Sequence, residues 1–170
     1  MTKEETVIEL IKASQKYGLN ADLVCSIASI ESNCNHLAIR YEPKFRWVLN
    51  VPKMASRNNI SIDTEQTMQQ MSFGPLQIMG GVLREMFYQD ELTKMIYDPA
   101  LVIDFSCKRL KMLFDKYGNI IDDVLACWNG GNRKKYLING LLQYSNQSYV
   151  DKVLLVYNNV IGSKIPLGDK

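Results

Sequence analysis

The chain has a single histidine, His36, and its four cysteines, Cys25, Cys34, Cys107 and Cys127, show no close-pair spacing. Together they make a poor zinc site, whose ligands normally arrive in short-range pairs. Each cysteine falls in or beside an apolar segment and reads as a small buried thiol of a reduced compartment. A disulfide between two of them is left open and cannot be paired from sequence. Charge of one sign is also scarce: 20 Lys and Arg against 18 Asp and Glu leave a net +2, too little to drive binding to nucleic acid. No apolar run reaches transmembrane length, so stable membrane insertion is not expected. The opening Met1-Thr2-Lys3-Glu4-Glu5 lacks the apolar core of a secretory signal peptide. Internal repeats, low-complexity tracts and interdomain linkers are missing as well. What is there is 170 residues, 46% hydrophobic, which suits one domain with a sizeable core.

The residue in the least comfortable setting is Glu31. Val24, Ile27 and Ala28 precede it by seven, four and three positions, so Glu31 extends the apolar stripe of a helix. Asn33, Cys34 and Asn35 follow, which puts Glu31 in the last turn, where the negative end of the helix dipole opposes a negative side chain. Burial and dipole both disfavour ionisation, and the expectation is a half-buried carboxyl with a raised pKa, the property a general acid needs. The ordinary alternative is a helix-end glutamate with its head in water.

Along the chain, residues 4 to 16 form an amphipathic helix on Val7, Ile8, Leu10 and Ile11, ending at Tyr17-Gly18. Asn20 caps the helix that delivers Glu31. Residues 36 to 50 read as irregular, with Tyr41-Glu42-Pro43 extended or turning. Lys44, Phe45, Arg46 and Trp47 alternate basic with aromatic. Such a strip either holds a sugar ring on Trp47 and an anionic group on Arg46, or is a solvated arm packed by its aromatics, which is the commoner case. Pro52 to Ile62 reads as polar loop, and Asp63 as the start of a short helix with Glu65 stabilising its first turn. Met71-Ser72-Phe73-Gly74-Pro75-Leu76-Gln77-Ile78-Met79-Gly80-Gly81 marks a tight backbone excursion whose free backbone groups, with the Gln77 amide, can face a ligand. Leu83, Met86 and Phe87 open another helix. Asp98-Pro99 starts a long one that buries Val102, Phe105, Leu110, Leu113 and Phe114 and stops at Tyr117-Gly118. Asp122 leads into a helix broken by Asn129-Gly130-Gly131, leaving Trp128 and Asn129 at its end, where they either line a groove or, for Trp128, fill the core. Tyr149 to Ile161 is an amphipathic terminal helix, followed by a frayed tail.

Five segments stand in order: Glu31-Ser32 at a helix end, Gly74-Pro75-Leu76-Gln77-Ile78-Met79, Asp98-Pro99, Ala126-Cys127-Trp128-Asn129-Gly130-Gly131, and Tyr149-Val150. In this order the sequence resembles the soluble-type (SLT) lytic transglycosylases, relatives of goose-type lysozymes, over about residues 17 to 160. The long insert between Glu31 and Gly74, with Arg40-Tyr41-Glu42-Pro43, looks most like bacteriophage versions. The resemblance implies a mainly α, lysozyme-like single domain over residues 1–170 with little or no sheet. It implies Glu31 as catalytic acid and base. It also implies a substrate-binding set of Ser32, Ser72, Gly74, Leu76, Gln77, Ile78, Trp128, Asn129 and Tyr149. Two departures stand out. Pro75 replaces a family leucine and removes a backbone N–H. Trp128 replaces the family tyrosine whose hydroxyl would meet the catalytic carboxyl, leaving Tyr149 or Tyr157 to supply that group.

The implied reaction cuts the β-1,4 bond between N-acetylmuramic acid and N-acetylglucosamine. The muramic 6-hydroxyl serves as a tethered nucleophile and closes a 1,6-anhydro ring, with no metal or cofactor called for. The alternatives are a muramidase in which Glu65 or Glu42 activates a water, and a catalytically weak wall-binding or virion structural module. The implied partner is the glycan strand of peptidoglycan, and the place of action the cell wall. Without a signal peptide, delivery falls to a virion or to release or injection from the cytoplasm, which would add virion or secretion-machine proteins as partners.

Overall fold

A computed structural model of the chain describes residues 1–164. The elements in order are α1 (Lys3–Lys16), α2 (Ala21–Ser32), β1 (Ile39–Tyr41), α3 (Val51–Asn58), α4 (Ile62–Gln69), β2 (Met71–Phe73), β3 (Ile78–Met79), α5 (Gly80–Glu85), α6 (Lys94–Tyr97), α7 (Pro99–Tyr117), α8 (Ile121–Gly130), β4 (Lys135–Ile138), β5 (Leu141–Tyr144) and α9 (Gln147–Lys164). The fold is mainly α, and its strands are short.

Local chemistry explains most boundaries. Thr2 and Glu5 form a reciprocal capping box on α1. The Asn20 side chain accepts the Leu23 N–H at 3.1 Å to start α2, and Asp98 accepts the Leu101 N–H at 3.0 Å to start α7, with Pro99 in its first turn. Helix α2 stops because Asn33 turns left-handed at φ 56°.

Among the described residues, two hydrophobic clusters form the interior. Helices α1, α2, α7, α8 and α9 bury Leu10, Val24, Ile27, Leu110, Leu125 and Val153 in one. The short strands with α5, α6 and the start of α7 bury Phe73, Ile78, Leu83, Met95 and Val102 in the other. Trp128 packs against both, so it sits at their seam. The cysteines are free thiols, with Cys34, Cys107 and Cys127 buried; burial pushes the Cys107 thiol up to about 12, which keeps it protonated and unreactive.

Several expectations needed correction. The polar stretch from Pro52 is helix α3, because proline in a first turn loses only an N–H that had no intrahelical partner. Ser61, not Asp63, caps α4, accepting the Thr64 N–H at 3.0 Å. The excursion at 71–81 is a strand–turn–strand: β2 pairs antiparallel with β3 and with β1, Ser72 facing both Arg40 and Met79. Helix α5 ends at Glu85, and Phe87 leaves it at φ 64° with its ring in solvent. Strands β4 and β5 form a second hairpin around Asn139-Gly140, both at positive φ, as a type I′ turn requires.

Glu65 lies in the first turn of α4, as the sequence places it, but stabilising that turn is not its only role. It is fully buried and bound in a two-pronged ion pair to Arg84 of α5, Nε to Oε1 at 2.8 Å and Nη2 to Oε2 at 2.9 Å. Arg84 Nη1 donates to the carbonyls of Tyr88 and Asp90, both at 2.8 Å, and Gln69 Nε2 donates to Glu65 Oε1 at 2.9 Å. Every prong of the buried pair is matched, which is the condition under which such a pair is tolerated inside a protein.

Candidate active site

Where the two clusters meet, the surface opens into a cleft of about 730 Å³, within the range of small-ligand sites. Glu31, Ser72, Gln77, Ile78, Trp128 and Asn129 of the expected set line it, as does Glu42. Glu31 reaches the cleft from the last turn of α2 and is half-buried. The Tyr149 hydroxyl, from the first turns of α9, donates to its Oε1 at 2.7 Å. Burial raises the Glu31 pKa above the ordinary glutamate value; the Tyr149 hydrogen bond, then the Arg40 charge and the Trp128 indole N–H, pull it partway back by favouring the carboxylate. Burial and the neighbouring Glu31 charge push the Tyr149 hydroxyl far upward, so it stays a donor. Tyr157, the other candidate hydroxyl, accepts from Asn20 Nδ2 at 3.1 Å.

The other carboxylates of the cleft wall are partnered. Glu42 forms an ion pair with Arg40, and Glu85 one with Arg109 at 3.3 Å. Glu65, the other candidate second carboxylate, is sealed in the interior by Arg84 and has no surface from which to activate a water.

The turn between β2 and β3 is tied to the end of α2. Ser32 Oγ donates to the Pro75 carbonyl at 2.8 Å, and the Gly74 N–H donates to the Ala38 carbonyl at 2.8 Å. Ser32 and Gly74 therefore brace the turn beside Glu31 and are not part of the wall, and Leu76 points away into the core, fully buried. Gln77, at φ 53°, turns its amide inward: Nε2 donates to Ala38 O at 3.2 Å and Gly74 O at 2.9 Å, while Oε1 accepts from Ser72 Oγ at 2.8 Å. Both amide protons are thus committed to the backbone, and only the remaining lone pair of Oε1 is left for a ligand. Asn129 is exposed at the end of α8, its Oδ1 accepting from Asn146 at 3.0 Å. Arg109 and Val82 are wall residues without a sequence signal, since each lies on a helix face set only by tertiary packing.

Gly74 holds the turn against α7. At φ 69° it is left-handed, and a Cβ there would lie 2.7 Å from Val102 Cγ1. Gly74→Ala is expected to cost about 1–3 kcal/mol through overpacking, read as a lowered denaturation midpoint; a midpoint equal to the parent's would refute this packing account.

A family model, the transglycosylase SLT domain, matches residues 9–147. Neither a curated protein nor a solved structure gave a significant match. The match runs from the middle of α1 to the start of α9, including Glu31, the Gly74–Gln77 turn and Asn129, and stops two residues before Tyr149. With the mainly α fold and its cleft, it makes the chain a member of the SLT transglycosylase family of the lysozyme-like superfamily, enzymes that cleave glycosidic bonds of peptidoglycan by lytic transglycosylation.

Proposed function

We propose that this cleft cuts the β-1,4 linkage between N-acetylmuramic acid and N-acetylglucosamine with Glu31 as its one general acid and base, in a single lysozyme-like domain spanning residues 1–170. Glu31, protonated, gives its proton to the bridging oxygen as the bond breaks. The carboxylate then takes the proton of the muramic 6-hydroxyl, whose oxygen closes on the anomeric carbon as the 1,6-anhydro ring. Atoms balance without water, because the nucleophile belongs to the substrate and is held at high effective concentration.

The observation that carries this reading is the contrast among carboxyls. Glu31 is half-buried, its pKa lifted by burial, its oxygen held by a neutral hydroxyl. Glu42 and Glu85 are bound to arginines, and Glu65 is sealed inside. A carboxylate held by an arginine has its oxygens taken up in an ion pair, whereas Glu31 meets only a neutral hydroxyl and a half-buried setting that favours its acid form. The muramidase alternative loses Glu65 as its second carboxylate for the same reason. Digestion of peptidoglycan in water labelled with heavy oxygen tests the chemistry: the released products should carry no label, whereas one labelled oxygen per cleavage would establish hydrolysis.

Tyr149 is assigned as a positioning residue. Its hydrogen bond favours the Glu31 carboxylate, so Tyr149→Phe should raise the Glu31 pKa further. The acid form then persists to higher pH, and the alkaline limb of the activity profile moves upward. The rate at the optimum should fall about ten- to hundredfold, the worth of a hydrogen bond to a charged group. A limb that stays in place or moves down would remove Tyr149 from this role.

A further inference from the structure

The outer part of the cleft is built on an arm, residues 42–49, that is held far more firmly than a solvated loop requires. The Glu42 N–H donates to Gln70 O at 2.8 Å, and Gln70 Nε2 donates to Phe45 O at 3.0 Å. The fully buried Gln69 grips Leu49 from both sides: Oε1 accepts its N–H at 2.6 Å and Nε2 donates to its carbonyl at 2.9 Å. Gly81 of α5 lets the arm lie flat, since a Cβ there would be 2.4 Å from the Trp47 carbonyl and 2.6 Å from the Phe45 ring. Phe45 then meets Trp47 edge-to-face, centroids 5.6 Å apart at 63°.

All this bracing ends in an indole that is 73% exposed and lines the same cleft as Glu31. A loop that merely needed to be solvated would not fix its largest apolar side chain in water with its ring orientation set from behind. A flat, amphipathic aromatic held rigid at low entropic cost is what recognition surfaces use as an anchor.

We infer that Trp47 is a stacking platform for a hexopyranose ring of the bound glycan strand, a subsite carried by the 42–49 arm. A pyranose presents an apolar C–H face and a polar rim. The indole covers the face and leaves the hydroxyls to solvent, which gives affinity without demanding one substitution pattern on the ring. The inference rests on reading the cleft as a glycan-strand site and adds where, outside the cutting point, the strand is held.

The test uses the full chain with Glu31→Gln, so that binding is read without cleavage, titrated calorimetrically with chitotetraose. Trp47→Ala in that background should weaken binding about tenfold, the loss expected for truncating an aromatic anchor, and Trp47→Phe should stay within about threefold because the ring face is kept. Equal affinity for the alanine variant, a phenylalanine variant as weak as alanine, or no binding of chitotetraose to the Glu31→Gln chain would each overturn the platform. In the chain with Glu31 intact, Trp47→Ala should raise KM on peptidoglycan and leave kcat unchanged; a fall in kcat at constant KM would also overturn it. The calorimetric contrast involves no bond cleavage, so it survives even if the role given to Glu31 fails.

Discussion

Glu31→Gln should lower the release of soluble fragments from peptidoglycan by about 10²–10⁴-fold, the usual worth of a general acid and base, in a chain that stays folded. Glutamine fills the same volume, and its carbonyl oxygen can accept the Tyr149 hydroxyl as Glu31 Oε1 does at 2.7 Å. Stability gives an independent reading. Burial raises the Glu31 pKa in the folded chain, so between the unfolded and folded values the folded state binds more protons. Its stability then declines as pH rises through that window and levels off above the folded pKa. The glutamine variant lacks this decline and should be at least as stable as the parent at neutral pH. A structural glutamate would behave in the opposite way, losing stability on substitution and leaving turnover intact. Chemical denaturation at several pH values, beside fragment release, separates the two.

Glu65→Ala should be the most destabilising of the single changes considered. It leaves the Arg84 guanidinium, 1% exposed, without its carboxylate, and breaking a buried pair from one side costs about 3–5 kcal/mol. For a chain of this size that is about 6–20 °C in melting temperature. The loss has a structural route to the cleft: Gln69, which grips Leu49 of the arm, also donates to Glu65. Replacing both partners together, Glu65→Leu with Arg84→Met, removes both charges and should recover much of the loss, although the carbonyls of Tyr88 and Asp90 forfeit their donor. Denaturant midpoints decide it. A single variant within about 1 kcal/mol of the parent would mean that the pair does not hold this region together, far below the cost expected for an orphaned buried charge.

The residues that were legible in the sequence are those whose structure is set by close neighbours. Asn20, Asp98-Pro99 and Gly18 mark helix ends because a cap needs only the next few residues. Glu31 announced itself because burial follows from a stripe three, four and seven positions long. What escaped was set across distance. Glu65 is a first-turn carboxylate as read, but its burial is set by Arg84, nineteen residues on, folded against it. The Ser72–Gln77–Ala38 network depends on β1 pairing with β2 across more than thirty residues of chain. The Gln77 side chain, expected to face the sugar, lines the cleft but commits both amide protons to that network. Helix α3 is hidden by its polar composition and its proline, while the second hairpin carries only the short local signal of a type I′ turn at Asn139-Gly140. Trp128 proved to belong to both readings at once, packed against both clusters and also part of the cleft wall.

In the proposed reaction one carboxyl, that of Glu31, both gives and recovers the proton. Purified sacculi digested with the parent chain and with Glu31→Gln, followed by mass analysis of the products, tests it most directly. The parent should release 1,6-anhydromuramic fragments and the variant almost none. Fragments heavier by one water, or undiminished release by the variant, would contradict it.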